Sequence, residues 1–461
     1  MPTAATARDR AERYPPQIPF IMASEGAERF SFYGMRSILT VYMAQYLLLE
    51  QHLAEASYHY FVMANYLMPL VGGWLADRFF GRYRIILWLS FGYVAGHAVV
   101  ALFESRLGLA WGLALIAIGA GGIKPCVSAY VGDQFRPEQT KLLERVYGLF
   151  YWMVNLGSFS STLLIPELLH RYGPRVAFAV PGILMALALA IFVAGRRRYV
   201  NVPPTGVDPH SFVRVVWSAL RRRGRAPAGG SWLDAALGEH PAEAVDGVRA
   251  VFRIMGVFAA VTGFWALFDQ HGASWVLQAS KMDLRVGSLE LRASQLSALN
   301  PVMVLAIIPV FQRWVYPWLE RRGWPLPPLR KMAIGMFLAT LSFVAMAAIQ
   351  ATIDAGGKPH ALWQVVPYLF LTVGEVMVSV TGLEFAYTQA PRTMKSTIMS
   401  IWLVTFALGN LVTAVVSQLN RFQGAAYFAF FAALMLVAAI AFAVVARRYR
   451  PVASVVQARA A

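Results

Sequence analysis

Four charges lie in the part of the chain least able to hold them. The run from Ile18 to Leu47 is apolar and long enough to cross a bilayer, which takes about 20 residues. Its middle nevertheless carries Glu25, Glu28, Arg29 and Arg36. A charge at the centre of a spanning helix costs roughly 2.5–3.5 kcal/mol on the insertion scale. At about 100° per residue, Glu25, Arg29 and Arg36 fall within roughly 40° of one another, with Glu28 about 60° to one side. One polar stripe therefore turns away from lipid, onto partners or a wet cavity. Either it lines a transport pathway, or it is an ion-pair cluster that only holds helices together. Intramembrane charges favour the first reading.

The elements that must position these charges follow from composition. Of 461 residues, 58% are hydrophobic and 14% charged, against about 25% charged in a soluble domain. The chain reads as an all-α, multi-pass membrane protein. Apolar spans fall at about 18–47, 57–80, 83–103, 107–128, 145–168, 174–195, 250–278, 293–318, 331–350, 361–387, 396–420 and 424–446. The polar, Arg-bearing first 17 residues and the long run after them do not fit a cleavable signal peptide. This predicts an N-tail (1–17), a six-helix bundle (18–195), a linker (196–249), a second six-helix bundle (250–446) and a C-tail (447–461). Short amphipathic helices are predicted in the linker near Phe212 to Leu220 and Trp232 to Leu237. With the N-terminus inside, 29 of the 41 Lys and Arg fall in inner segments and 8 in outer loops. That bias places both termini and the linker in the cytoplasm, the chain in the cytoplasmic (inner) membrane, and accounts for most of the +17 net charge without nucleic acid. Six plus six spans suggest the major facilitator fold, whose binding site lies at the midplane between the halves.

Other chemistries find little support. Cys126 is the only cysteine, so there is no intramolecular disulfide and no cysteine-based metal site. No GxxxxGK[ST] loop argues for an ATP-driven pump. No metal-ligand cluster or nucleophile constellation supports a membrane-embedded enzyme, and no cofactor or obligate protein partner is implied.

Several stretches carry a more specific signal. Gly72 to Arg84 (GGWLADRFFGRYR) resembles the loop motif of the major facilitator superfamily, in which Asp77 and Arg78 would latch helix ends as a gate. Glu25 to Gly34 (EGAERFSFYG) resembles the ExxERFxYYG signature of the proton-dependent oligopeptide transporter family. Phe150 to Phe159 (FYWMVNLGSF) is similar to its FYxxINxGS signature, and Gly122-Ile123-Lys124-Pro125 to its fourth-helix lysine site. Phe264 to Gln270, Asn300-Pro301, Glu375 to Glu384, Met394-Lys395-Ser396 and Trp402 match in order, so the resemblance covers nearly the whole chain.

The residue types agree with that resemblance. Arg29, Arg36 and Lys124 lie in spans of the first half, Asp269 and Glu375 in spans of the second. A short peptide is a zwitterion, and a cationic wall facing an anionic one would hold its two ends by charge-assisted hydrogen bonds. Asn155 and Asn300 could take the backbone, and Tyr33, Tyr66, Trp275 and Trp402 the side chains. The resemblance implies that Glu375, with Asn155 and Asn300, receives the peptide amino terminus. It assigns Arg29, Arg36 and Lys124 to the carboxylate and to ion pairs that switch during transport. Glu25, Glu28, His59 and Asp269 are the candidates to carry the coupling proton, through pairs such as Glu25–Lys124 and Arg36–Asp269. A carboxylate released from its cation binds a proton more readily, and a protonated one releases its cation.

Three departures stand out. Asp269 replaces the glutamate of many bacterial members, and His59 occupies a place where animal members carry a histidine, so the chain resembles the animal branch. Phe32 replaces a common tyrosine, which removes a hydroxyl contact. His97 reads as a structural histidine. The reading that follows is proton-coupled import of di- and tripeptides. The alternatives are a transporter of nitrate or another small anion, which Glu375 would repel, and a drug–proton antiporter, which needs no cationic wall.

Overall fold

Within lipid every backbone N–H and C=O must find an internal partner, so apolar runs of this length become helices. The computed structural model describes residues 14–206, 208–223, 230–389, 391 and 394–449. Most of the expected N-tail and C-tail, and Gly229 in the linker, lie outside the described residues. In order the helices are α1 (Ile18–Val41), α2 (Gln51–Leu75), α3 (Arg82–Leu102), α4 (Arg106–Asp133), α5 (Thr140–Ala194), α6 (Phe212–Arg221), α7 (Ala242–Phe268) and α8 (Ser274–Ala279). They continue as α9 (Leu299–Val310), α10 (Tyr316–Arg321), α11 (Pro328–Asp354), α12 (Val365–Glu375), α13 (Thr381–Gln389), α14 (Lys395–Leu419) and α15 (Ala425–Arg448).

The predicted twelve spans are recovered from these pieces. Among the described residues, nine helical stretches are long and apolar enough to cross a membrane. One of them, α5, is two spans, because Gly173 at φ 81° interrupts it just before Pro174. The charge-bearing α1 and the polar-ended α2 complete the set. α7 runs through a 3-10 turn at Asp269–Gly272 into α8 as a single span. π-helical turns close α1 (Tyr42–Tyr46) and α2 (Ala76–Phe80), and two more follow α9 (Phe311–Val315) and α12 (Val376–Val380). Hydropathy gave no sign of a small antiparallel hairpin, β1 (Arg285–Val286) and β2 (Leu289–Glu290), with Arg285 opposite Glu290.

The chain divides into two compact units, with one boundary at Gly206, inside the predicted linker. The first unit includes the described residues up to Gly206, Gln270–Leu305 and Ala414–Asn420; the second includes those of Val207–Asp269 and Ala306–Thr413 and those from Arg421 on. In the first unit α1 lies along α5, and α4 packs on α2 and α3. A Cβ on Gly72 would fall 2.4 Å from the Gly122 Cα, so the α2–α4 crossing requires glycine there. The segment Gln270–Leu305 is fastened to helix ends of the first half. Thr40 Oγ1 donates to the Gly272 carbonyl at 2.9 Å, Lys281 Nζ to Gln51 at 3.1 Å, and Gln295 Nε2 to the Leu163 carbonyl at 2.8 Å. Arg292 Nε pairs with Glu167 at 3.0 Å.

In the second unit α11 packs on α15 and α12, and α7 on α15. The described parts of the linker are folded. α6 forms as predicted, whereas Trp232–Gly238 is a 3-10 helix begun by reciprocal Ser231–Asp234 capping. Both pack on α7. Glu239 receives Ser218 and Arg222, and Arg249 pairs with Asp234 and Asp246.

Candidate functional site

The polar stripe of α1 forms a buried cluster. Arg29 Nε lies 2.5 Å from Glu25 Oε1 and 3.1 Å from Glu28 Oε2. The first is the i,i+4 pair that the helical repeat allows, and only it has hydrogen-bond geometry, which leaves both Glu28 oxygens able to accept another donor. All three side chains are buried, whereas Tyr33, Arg36, Tyr66 and Lys124 are only half-buried. The stripe therefore has a sealed part and an accessible part.

Lys124, from α4, places its ammonium 3.5 Å from the centre of the Phe32 ring and interacts electrostatically with Glu28 and Glu25. Arg36 Nε donates to the Tyr58 hydroxyl at 2.7 Å, and its guanidinium sits 5.5 Å from that ring. His59, fully buried on α2, packs edge-on to Tyr58 at 5.2 Å. Asn155 donates to the Tyr151 carbonyl of its own helix at 2.9 Å, and both Asn155 and Asn300 are 9% exposed.

At the α2–α3 junction Arg82 organises the loop. It holds Asp133 through both carboxylate oxygens, at 2.5 and 2.6 Å, and reaches Asp77 at 3.2 Å. Gly81, at φ 77°, makes the turn between them. Arg78 donates to the Gly206 carbonyl, and the Thr205 N–H to the Asp77 carbonyl at 2.9 Å. Asp77 and Arg78 therefore tie the loop to the start of the linker.

In the second unit Asp269 is fully buried and accepts from Asn410 Nδ2 at 2.8 Å. Thr413 donates to the Ala266 carbonyl at 2.6 Å, fixing α14 to α7. Glu375 is the last residue of α12 and is half-buried. The π-turn that follows it is a local departure of a kind frequent at functional sites. Trp402 is only 2% exposed and packs against Phe258, Trp265 and Phe406. Its indole also covers Gly382, where a Cβ would meet it at 2.2 Å. Asp269, Glu375 and Trp402 belong to the second unit and the other expected site residues to the first.

Sequence reasoning missed a buried network beside the cluster. Ser31 Oγ donates to the Pro181 carbonyl at 2.7 Å and lies 3.0 Å from His97 Nε2. With the serine hydrogen committed to Pro181, the Nε2 of His97 must be the donor. Tyr93 stacks on His97 at 5.1 Å, and its hydroxyl interacts with Glu28 and Ser31. The network joins α1, α3 and α5, in keeping with a structural His97. Asp133 and Asn410 were missed as well. Nothing in their local sequence marks them, because their partners are distant in the chain.

Comparisons with known proteins converge. The family model described as the POT family matches residues 83–428. Solute carrier family 15 member 2 of Mus musculus is 36% identical over 404 residues, covering 83% of this chain and 55% of that one. Peptide transporter 3 of Caenorhabditis elegans is 38% identical over 365 residues, covering 74% and 51%. The chain spans about half the length of these relatives. A crystal structure of an auto-inhibited POT family peptide transporter matches with TM-score 0.88 and 42% identity, covering 95% of this chain and 98% of that one. The POT family transporter PepTSo matches with TM-score 0.88 and 40% identity, covering 95% and 99%.

Proposed function

Because the chain belongs to the POT family, we propose that it imports di- and tripeptides together with protons, by alternating access across the cytoplasmic (inner) membrane, with both termini in the cytoplasm. The observation that carries this reading is the α1 stripe. Its buried Glu25–Arg29–Glu28 cluster adjoins the half-buried cations Arg36 and Lys124. A proton-coupled carrier of zwitterions needs both parts, a sealed group of carboxylates to exchange a proton and accessible cations for a carboxylate. Relatives named as peptide transporters support the substrate class.

In this reading Arg29, Arg36 and Lys124 form the carboxylate side, and Tyr33 and Tyr66 meet the peptide side chains. Glu375, Asn155 and Asn300 receive the amino terminus and backbone, and Trp402 supports the site by packing. Glu25, Glu28, His59 and Asp269 carry the proton coupling, with Arg36–Asp269 as one switching pair, and Asp77 and Arg78 serve the gate. One proton entering through 100 mV releases about 2.3 kcal/mol, enough for over tenfold accumulation. Competition separates this proposal from cationic drug export and anion import. A dipeptide should inhibit uptake, whereas its C-terminally amidated analogue and nitrate should not. Inhibition by the amide equal to that by the dipeptide would remove the cationic wall from the account.

A further inference from the structure

The linker helix α6 has two faces, and only one is covered. Val215, Ser218 and Ala219 are buried toward the Trp232–Gly238 turn and α7. On the opposite side Val213, Trp217 and Leu220 are 73%, 67% and 52% exposed. At about 100° per residue these three lie within roughly 60° of one another, with Val216 at the edge of the same stripe. Arg214 and Arg221 flank it on one side, and Arg223 follows the end of the helix. From residue 209 to 223 there is no acidic side chain.

The position of α6 is as informative as its pattern. Phe212, at its start, packs on Phe252 with ring centres 5.6 Å apart. Phe252 stands in the first turn of the apolar span predicted at 250–278. His210, just before the helix, meets His240 at 3.0 Å, so α6 lies level with the start of α7, just outside the predicted span. Glu239 holds its far end through Ser218 and Arg222. An apolar stripe bearing a tryptophan and edged by arginines, held at that level, has the form of an interfacial helix.

We infer that α6 docks on the membrane itself, with Val213, Trp217 and Leu220 in the headgroup region and Arg214, Arg221 and Arg223 against anionic lipid phosphates. Docking would fasten the linker, and the cytoplasmic end of α7 with it, to the bilayer surface. Anionic lipid then becomes a ligand of this transporter at a place remote from its peptide site. Charge complementarity favours lipid over a protein partner, since each apolar side chain has a basic neighbour and the surface beside it carries phosphate.

The test uses the full chain. Cys126 is the only cysteine and is buried, so Cys126→Ser gives a background for single-site labelling. An environment-sensitive fluorophore is placed at Val213→Cys. The protein is reconstituted in vesicles of phosphatidylcholine, with or without phosphatidylglycerol, carrying headgroup-level nitroxide lipid. The expected result is quenching at residue 213 at least twofold stronger in anionic vesicles than in phosphatidylcholine alone. It should weaken likewise on Arg214→Gln, Arg221→Gln and Arg223→Gln substitution. Quenching at 213 indifferent to lipid charge and to the arginines would overturn the inference. The signal needs no transport, so it stands or falls independently of the substrate.

Discussion

The ammonium of Lys124 rests 3.5 Å from the centre of the Phe32 ring. Phe32 is the position at which the sequence departs from the family tyrosine, and its ring face supplies what the lost hydroxyl does not. A desolvated cation–π contact is worth about 2 kcal/mol. Phe32→Leu should therefore lower proton-driven uptake about tenfold, the equivalent of ~1.4 kcal/mol, while Phe32→Tyr stays near wild type. Leucine and tyrosine variants with equal uptake would show that the ring face is not used.

The α1 carboxylates should separate binding from coupling. Arg29 holds Glu25 at 2.5 Å, and Glu28 keeps both oxygens open to another donor. Glu25→Gln and Glu28→Gln should each retain peptide counterflow, which needs no net proton movement, yet lose accumulation under a proton gradient. Glu375→Gln should instead lose binding. A charged hydrogen bond contributes about 1.5–3 kcal/mol, so peptide affinity should fall by about ten- to over a hundredfold. Full accumulation by all three variants would remove them from the mechanism.

Asp269 depends in part on Asn410, which donates to it at 2.8 Å inside the protein. Removing a donor from a buried carboxylate costs about 1–3 kcal/mol. Asn410→Leu should lower the detergent-solubilised melting temperature and displace the pH profile of uptake. Thr413→Val, which loses the hydroxyl's bonds to the Ala266 and Gly409 carbonyls, should lower the melting temperature without moving that profile. A profile unchanged by Asn410→Leu would separate Asp269 from proton coupling.

The linker should loosen in acid. His240 Nδ1 lies 3.0 Å from His210 Nδ1, and burial, helped by that neighbour, holds His240 below the usual histidine range. The folded linker therefore favours the neutral ring. Its stability is complete above the ordinary histidine value of about 6.5 and falls as the pH drops toward the lowered one, because the opened state takes the proton first. Amide exchange across 208–241 should accelerate between about pH 7.5 and 5.5 beyond its intrinsic pH trend, and His240→Gln should flatten the difference. An identical acceleration in that variant would assign the effect to another group.

The close helix crossing is open to a direct test of packing. A side chain at Gly72 would run into the Gly122 backbone. Overpacking of this kind costs about 1–3 kcal/mol, so Gly72→Leu should lower the melting temperature clearly more than Gly92→Leu, whose added Cβ meets nothing within 4 Å. Equal melting temperatures would mean that the crossing yields easily.

Periodicity and hydropathy made the spans legible, since lipid leaves helices as the only outlet for long apolar runs. That Glu25 and Arg29 share a face was legible for a similar reason, but the partner expected for Glu25 was Lys124, and it is Arg29 of the same helix that holds it. Contacts between helices were not. Spacing could not show that Arg36 meets Tyr58, that Lys124 rests on Phe32, or that Arg82 reaches Asp133, because each depends on how separate helices are placed. It also could not show that Gln270–Leu305 packs with the first half of the chain. Trp402 looked like a substrate-facing aromatic by type, and only its packing over Gly382 reveals how little of it is accessible.

The central claim is proton-driven peptide import. It is tested most directly by uptake of labelled dialanine into proteoliposomes under an inward proton gradient, with and without a protonophore. The account predicts accumulation that collapses with the protonophore and that tripeptides, but not free alanine, compete away. Absence of uptake in sealed, correctly loaded vesicles, or accumulation indifferent to the protonophore, would contradict it.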